Sequence, residues 1–191
     1  MKNELDFTNL DSDNREELFV FIKKLVKVSE QEPATVYPYF EKIAELLGND
    51  KDAIRWTAMK IIGNLAVVDK DNLIDNYLQF FLDALNKGNM ITANNAINAL
   101  TKIAIAKKQH LDTVVTAFLD IDKFKYELPE YSNVIAGKAI TALISLFPFS
   151  AQKEEIKKLA ELHIKRGRPE SLARAEQLLK ELDENKKKED D

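Results

Sequence analysis

A helix-length segment recurs three times in this chain, as AMKIIGNLA at 58–66, AINALTKIA at 96–104 and AITALISLF at 139–147, the copies starting 38 and then 43 residues apart. The copies agree by role. Ala58, Ala96 and Ala139 are small, whereas Ile62, Leu100 and Leu143, four residues on, and Leu65, Ile103 and Leu146, three after that, are bulky and apolar. At about 100° of turn per residue these positions fall on one stripe of a helix. A lone helix would leave that stripe in water, so each copy has to stack on neighbours. Recurrence at such a period is the mark of helical hairpins that each touch only the next. The predicted fold class is all-α, an α-α superhelix: a short solenoid of about four helical hairpins.

Composition agrees where it bears on this. Five glycines and five prolines in 191 residues supply too few turn formers for a many-stranded β-sandwich, and enough for the corners between about eight helices. Hydrophobic residues at 45% and charged residues at 31% belong to a chain with a core, not to a disordered one. The 28 basic and 32 acidic residues leave a net charge of −4, which provides no field to draw nucleic acid or anionic lipid non-specifically. Absence of cysteine excludes disulfides and thiolate metal sites. The opening MKNELDFTNLDSDNREE lacks the apolar run of a secretory signal, so a cytoplasmic location is expected. Apolar stretches are interrupted by Lys, Asn or Asp every few positions, and no membrane-crossing helix is expected.

Along the chain, a single domain is expected over 1–185, with repeats at about 36–147, capping helices on either side and a charged, disordered tail at 186–191. The first dozen residues are predicted to be a loose arm ending in Ser12, Asp13 and Asn14, any of which suits a helix cap. A helix through Tyr37 and Leu47 is expected to close at Gly48 in a left-handed conformation. The segment 120–132, with Tyr126, Pro129 and Tyr131, breaks the rhythm and accounts for the longer second spacing.

The stretch VYPYFEKIAELLGNDKDAIRWTAMKIIGNLA at 36–66 resembles one unit of the HEAT-repeat family. It has Pro38 early in its first helix, Ile43, Leu46 and Leu47 on one face, an aspartate at the turn, and Ile54-Arg55 followed by Ala58, Ile62 and Leu65. The later copies keep the alanine and the aliphatic ladder, but Ala93 and Ala136 replace the arginine and no proline opens them. The resemblance implies a curved stack of antiparallel helix pairs whose second helices line a concave face that holds another macromolecule.

On the repeated helices four equivalent rows point away from the buried stripe: Trp56, Asn94 and Gly137; Thr57, Asn95 and Lys138; Lys60, Asn98 and Thr141; Asn64, Lys102 and Ser145. With Arg55 they form a polar, amide-rich, mildly basic wall. Arg55, Trp56, Lys60, Asn64, Asn94, Asn95, Asn98, Lys102, Lys138 and Thr141 are the expected partner-binding residues. Asparagine is a poor helix former, and it gains nothing mid-helix unless its amide is used. The competing reading is an ordinary solvated face.

Catalytic constellations are missing from the sequence. His110 and His163 have no carboxylate or second histidine at metal spacing, and the glutamate pairs Glu16-Glu17 and Glu154-Glu155 sit at helix starts, where the dipole accounts for them. No phosphate loop, nucleophile elbow or zinc helix is present. Neither an enzyme activity nor a metal or cofactor is expected. The leading function is a non-enzymatic scaffold that binds a protein or peptide along the second helices. The alternative is a DNA binder or DNA-lesion glycosylase of the HEAT-like alkylation-repair type, for which Arg55, Trp56, Lys60 and Lys102 are the only matching parts. Such a protein should show a basic stripe and a steep salt dependence.

Overall fold

Asn14 ends the N-terminal arm and starts the first helix, α1 (Arg15–Gln31), by accepting the backbone N–H of Glu16 and Glu17 on its Oδ1 at 3.0 and 3.4 Å. The two glutamates face the positive end of the helix dipole, and Leu18, Phe21, Ile22 and Leu25 make its buried stripe. The computed structural model describes residues 5–189, and all regular structure among them is helical. The chain divides into two compact units, Met1–Leu78 and Gln79–Asp191.

In the first unit α1 is followed by α2 (Pro33–Val36) and α3 (Phe40–Glu45), with 3₁₀ turns at Tyr37–Tyr39 and Leu46–Gly48. The single helix expected here is broken because Pro38 has no N–H to donate, and the chain tightens around it. Gly48 does not take the expected left-handed conformation; the glycines with positive φ are Gly88 and Gly167. Next comes α4 (Asp52–Leu65), the first repeated helix, which packs on α1 and α3. The arm is not loose where it is described. Residues Phe7–Asp11 form a 3₁₀ turn, Phe7 stacks on Tyr39 at 3.7 Å and meets Phe21 edge-on, and Leu10 is buried. The corner after α4 is closed by buried Asp69, which accepts the backbone N–H of Leu73 and Ile74 and the Tyr37 hydroxyl. Burial, with Asp69 alongside, pushes the Tyr37 hydroxyl up.

The unit boundary falls in the first turn of α5 (Leu78–Ala84). The second unit continues with α6 (Met90–Ala106), α7 (Leu111–Leu119), α8 (Pro129–Leu146), α9 (Lys153–Arg166) and α10 (Pro169–Glu189). Asn89 caps α6 by accepting the Thr92 N–H at 2.9 Å. The helices alternate between two layers: α6 packs on α8 and α8 on α10, while α7 and α9 back them. The α8–α10 contact is close enough that a Cβ on Gly137 would lie 2.7 Å from the Glu170 carbonyl oxygen. Gly137, expected on an outward row, is therefore buried under the first turn of α10.

The segment between α7 and α8 is shorter and better tied than expected. Pro129 opens α8 at its first position, and a 3₁₀ turn occupies Ile121–Lys123. The Tyr126 hydroxyl donates to the Leu85 carbonyl at 2.7 Å and the Glu127 N–H to that of Gly88 at 3.1 Å, so the segment straps back to the α5–α6 corner.

Two further expectations change. By length and composition Pro129–Phe149 is apolar enough to cross a membrane, because Glu130 and Lys138 are its only charges. Here it packs on α6, α7 and α10 as a core helix. Of the tail expected at 186–191, residues 186–189 continue α10, and 190 and 191 lie outside the described residues.

Candidate functional site

Each unit carries part of the expected polar wall, and the two parts differ. In the first unit Arg55 is half-buried; its guanidinium donates to the Asn49 carbonyl at 2.8 Å and pairs with Asp52, so it ties down its own turn. Trp56 is half-buried and Lys60 exposed. Asn64 is not on the wall. It is buried, and its Nδ2 donates to Ser29 Oγ at 2.9 Å and the Val26 carbonyl at 3.3 Å, joining α4 to α1. Thr57 is buried too and bonds back to the Ala53 carbonyl.

In the second unit Asn95 also leaves the wall: it is 3% exposed, its Nδ2 donates to the Ile91 carbonyl at 2.8 Å, and its Oδ1 has no hydrogen-bond partner. The physical reason is common to both. Both are turned out of solvent, and a buried amide has to find its partner within the protein: Asn64 in α1, Asn95 in its own helix. The remaining residues do share a face. Asn98 and Lys102 on α6 and Lys138, Thr141 and Ser145 on α8 are exposed, and Asn94 is half-buried. Among the described residues no hydrogen bond reaches the amides of Asn94 and Asn98. Thr141 Oγ1 donates to the Gly137 carbonyl, four residues back.

The sequence reasoning missed two members of this face. Ile91 and Ile105 are 45% and 42% exposed, at the two ends of α6. With Asn94, Asn98 and Lys102 they follow steps of 3, 4, 4 and 3 residues, the period of one helix face. That spacing was available as a signal, but isoleucine at helical spacing more often marks the buried stripe. Electrostatically the face is one-sided. Past Glu130, in the first turn of α8, neither α6 nor α8 contains a carboxylate. The exposed acids stand on the backing helices instead, as Asp112, Glu154, Glu155 and Glu161.

Other candidates resolve into structural roles. His163, on α9, is 1% exposed with its Nε2 3.2 Å from Asp122 Oδ2, an oxygen that Arg166 also reaches at 2.6 Å. Burial pushes the Asp122 carboxyl up, but His163 and then Arg166 outweigh it and hold the group below the usual carboxylate range. The sequence gap of about forty residues hid this trio. Arg168 donates to Asn133 Oδ1 and Arg174 to Gln177 Oε1. A cleft of about 430 Å³ beside the start of α1 is lined by Glu16, Glu17 and Lys24 among others, without a convergent set of donors. No group of three or more His, Cys, Asp or Glu among the described residues is placed to hold a metal.

Neither a protein-family model nor a curated protein matches the chain. Among solved structures it is similar to a designed armadillo repeat protein, with 15% identity, a TM-score of 0.44, and coverage of 91% of this chain and 96% of that one. Among the described residues the fold is all-α.

Proposed function

We propose that the chain is a non-enzymatic scaffold and that the outward face of α6 and α8 holds a protein or peptide. The observation that carries this is the α6 stripe: two asparagine amides with no internal bond, set between two exposed isoleucines. Each amide offers a donor and an acceptor, which is what a peptide group requires, and the isoleucines offer apolar area at both ends. Asparagine in mid-helix costs about 0.7 kcal/mol relative to alanine. A surface with no task would have little reason to carry two. Arg55, Trp56 and Lys60 lie in the first unit, where Arg55 already ties down its own turn, and are not part of this proposal.

The test is to immobilise the protein, recover partners from its source lysate with and without nuclease, and repeat with an Asn98→Glu/Thr141→Glu variant. Both positions are exposed, so the variant should fold. A protein that survives nuclease and is lost from the variant supports the scaffold. Recovery of nucleic acid alone, abolished by nuclease and by salt, overturns it in favour of the DNA-binding alternative.

A further inference from the structure

The N-terminal arm lies on the first unit as a ligand lies on its site. We propose that the groove it fills, between α1 and α3, is a docking site for a turn segment of a partner protein with an aromatic residue, an aliphatic residue three positions on and an acid next to that. The chain's own arm holds the groove until such a segment displaces it. This site stands apart from the α6–α8 face.

Three observations converge. The first is how the arm is built. Asp6 accepts the Thr8 N–H on its side chain at 3.0 Å and the Asn9 N–H on its carbonyl at 3.2 Å, so the turn Phe7–Asp11 closes on its own hydrogen bonds. Among the described residues no hydrogen bond joins the backbone of 6–11 to a helix. Ser12 and Asn14, which link the arm to α1, are extended. The second observation is what the arm touches. Residues three apart eclipse one another on a 3₁₀ turn, so Phe7 and Leu10 share one side. Phe7 stacks on Tyr39 at 3.7 Å and meets Phe21 edge-on at 5.9 Å, Leu10 is buried, and the Asp11 carboxylate pairs with Lys42 of α3. The attachment is therefore two apolar anchors and one flanking acid, all through side chains. A segment of another protein with the same spacing can repeat each of these contacts. The third observation is the seat. A cleft of about 430 Å³ stays open beside the arm, lined by Asn9 of the arm and by Val20, Phe21 and Lys24 of α1 among others, with Val20 54% exposed. An arm that belonged to the core would close that space, since interiors pack with few voids.

The experiment uses the full chain with Phe7→Ala/Leu10→Ala, which strips the cis arm of both anchors, beside the wild type. The variant's fold is checked by circular dichroism. The probe is a fluorescent peptide of residues 5–14, read by anisotropy, and the same peptide carrying both alanines is the control. A short hinge keeps the cis arm at an effective concentration on the order of millimolar, so the wild type resists a dilute peptide. The expected result is that the peptide binds the variant at least roughly tenfold more tightly than the wild type, that adding Lys42→Glu weakens it severalfold, and that the control peptide does not bind. Equal binding to variant and wild type, or binding to neither, overturns the inference. If unlabelled wild-type chain competes as well as unlabelled peptide does, the occupant is a second copy and the partner is overturned. Hydrogen exchange on the wild type is a second measurement, free of any substitution. The Asn9 and Ser12 amides should exchange about a hundredfold faster than those of Ile22 and Leu25 in α1. Exchange at one common rate makes the arm part of the core and overturns the inference too.

Discussion

The helices α4 and α6 are two copies of one repeated pattern, each with asparagine on its polar side, yet they use it differently. In α4 the amide of Asn64 is turned inward and bonded to Ser29 and Val26 of α1. In α6 the amides of Asn94 and Asn98 stand without an internal bond, between two exposed isoleucines. Equivalence in the repeat therefore does not fix the fate of a polar residue. Its fate depends on whether the neighbouring helix offers acceptors within reach: α1 presents the Val26 carbonyl and Ser29 Oγ, already bonded to each other, and the Asn64 amide donates to both.

The comparison presumes that copies share a backbone arrangement and differ at their polar rows, and the third copy is where this breaks most visibly. Gly137 of α8 stands at the position of Trp56 and Asn94, with no room for a Cβ beside the Glu170 carbonyl. Gly137→Ala should cost about 3 kcal/mol, because the atom it would strike is backbone and the remedy is to move α10. Thermal unfolding should show a drop of about 6–12 °C in Tm. If the melting point is unchanged, α8 and α10 do not approach as closely as described.

The next effect separates the two asparagine classes directly. Asn64→Ala should destabilise the protein by about 2 kcal/mol, since it opens a small cavity and removes the amide that donates to Ser29 Oγ and the Val26 carbonyl, although those two stay bonded to each other. Urea unfolding of Asn64→Ala beside the wild type measures it. A loss below a few tenths of a kcal/mol would mean that Asn64 is as dispensable to the fold as Asn98, and the contrast between α4 and α6 would disappear.

Much of this fold is legible in the sequence, and particular residues show where legibility ends. The stripe of Ala58, Ile62 and Leu65 and its copies gave the helix pairs, because burial of apolar area is set by period alone. Pro38 could have warned that its helix would break, but a proline near a helix start is equally compatible with an unbroken one. Gly48, unlike Gly88 and Gly167, shows that a glycine at a helix end permits positive φ without requiring it. The polar wall was half legible. Which residues point outward follows from the helical period, whereas whether Asn64 and Asn95 meet solvent depends on a neighbouring helix that no local pattern describes. The Asp122–His163–Arg166 trio was illegible for the same reason, since its members come together only when α9 packs.

That trio supplies a control away from both faces. Asp122→Asn should cost about 1.5 kcal/mol at neutral pH, because Asp122 accepts a charge-assisted hydrogen bond from Arg166. The carboxyl is held below its ordinary value in the folded protein, so its contribution is complete above about pH 4, the usual range for aspartate. It is lost as the pH falls further, through the folded value. The gap in Tm between wild type and Asp122→Asn should therefore be constant from about pH 5 to 7 and close below pH 4. A gap that instead widens on acidification would show that Asp122 is not stabilised as the carboxylate. Binding at the α6–α8 face should not change in this variant.

The smallest effect on stability is the most telling for function, because its sign opposes that of Asn64→Ala. Asn98 is exposed, in mid-helix, and bonded to no described residue, so replacing it removes no internal interaction and improves helix propensity. Asn98→Ala should thus stabilise the protein by up to about 0.7 kcal/mol while weakening retention of the protein partner recovered from the lysate, since the amide that would meet the peptide group is gone. A residue kept at a cost to the fold and needed only when a partner is present must show both changes together. Stabilisation without loss of binding would make Asn98 an ordinary surface asparagine, and loss of stability would place its amide in a contact within the fold, as in Asn64.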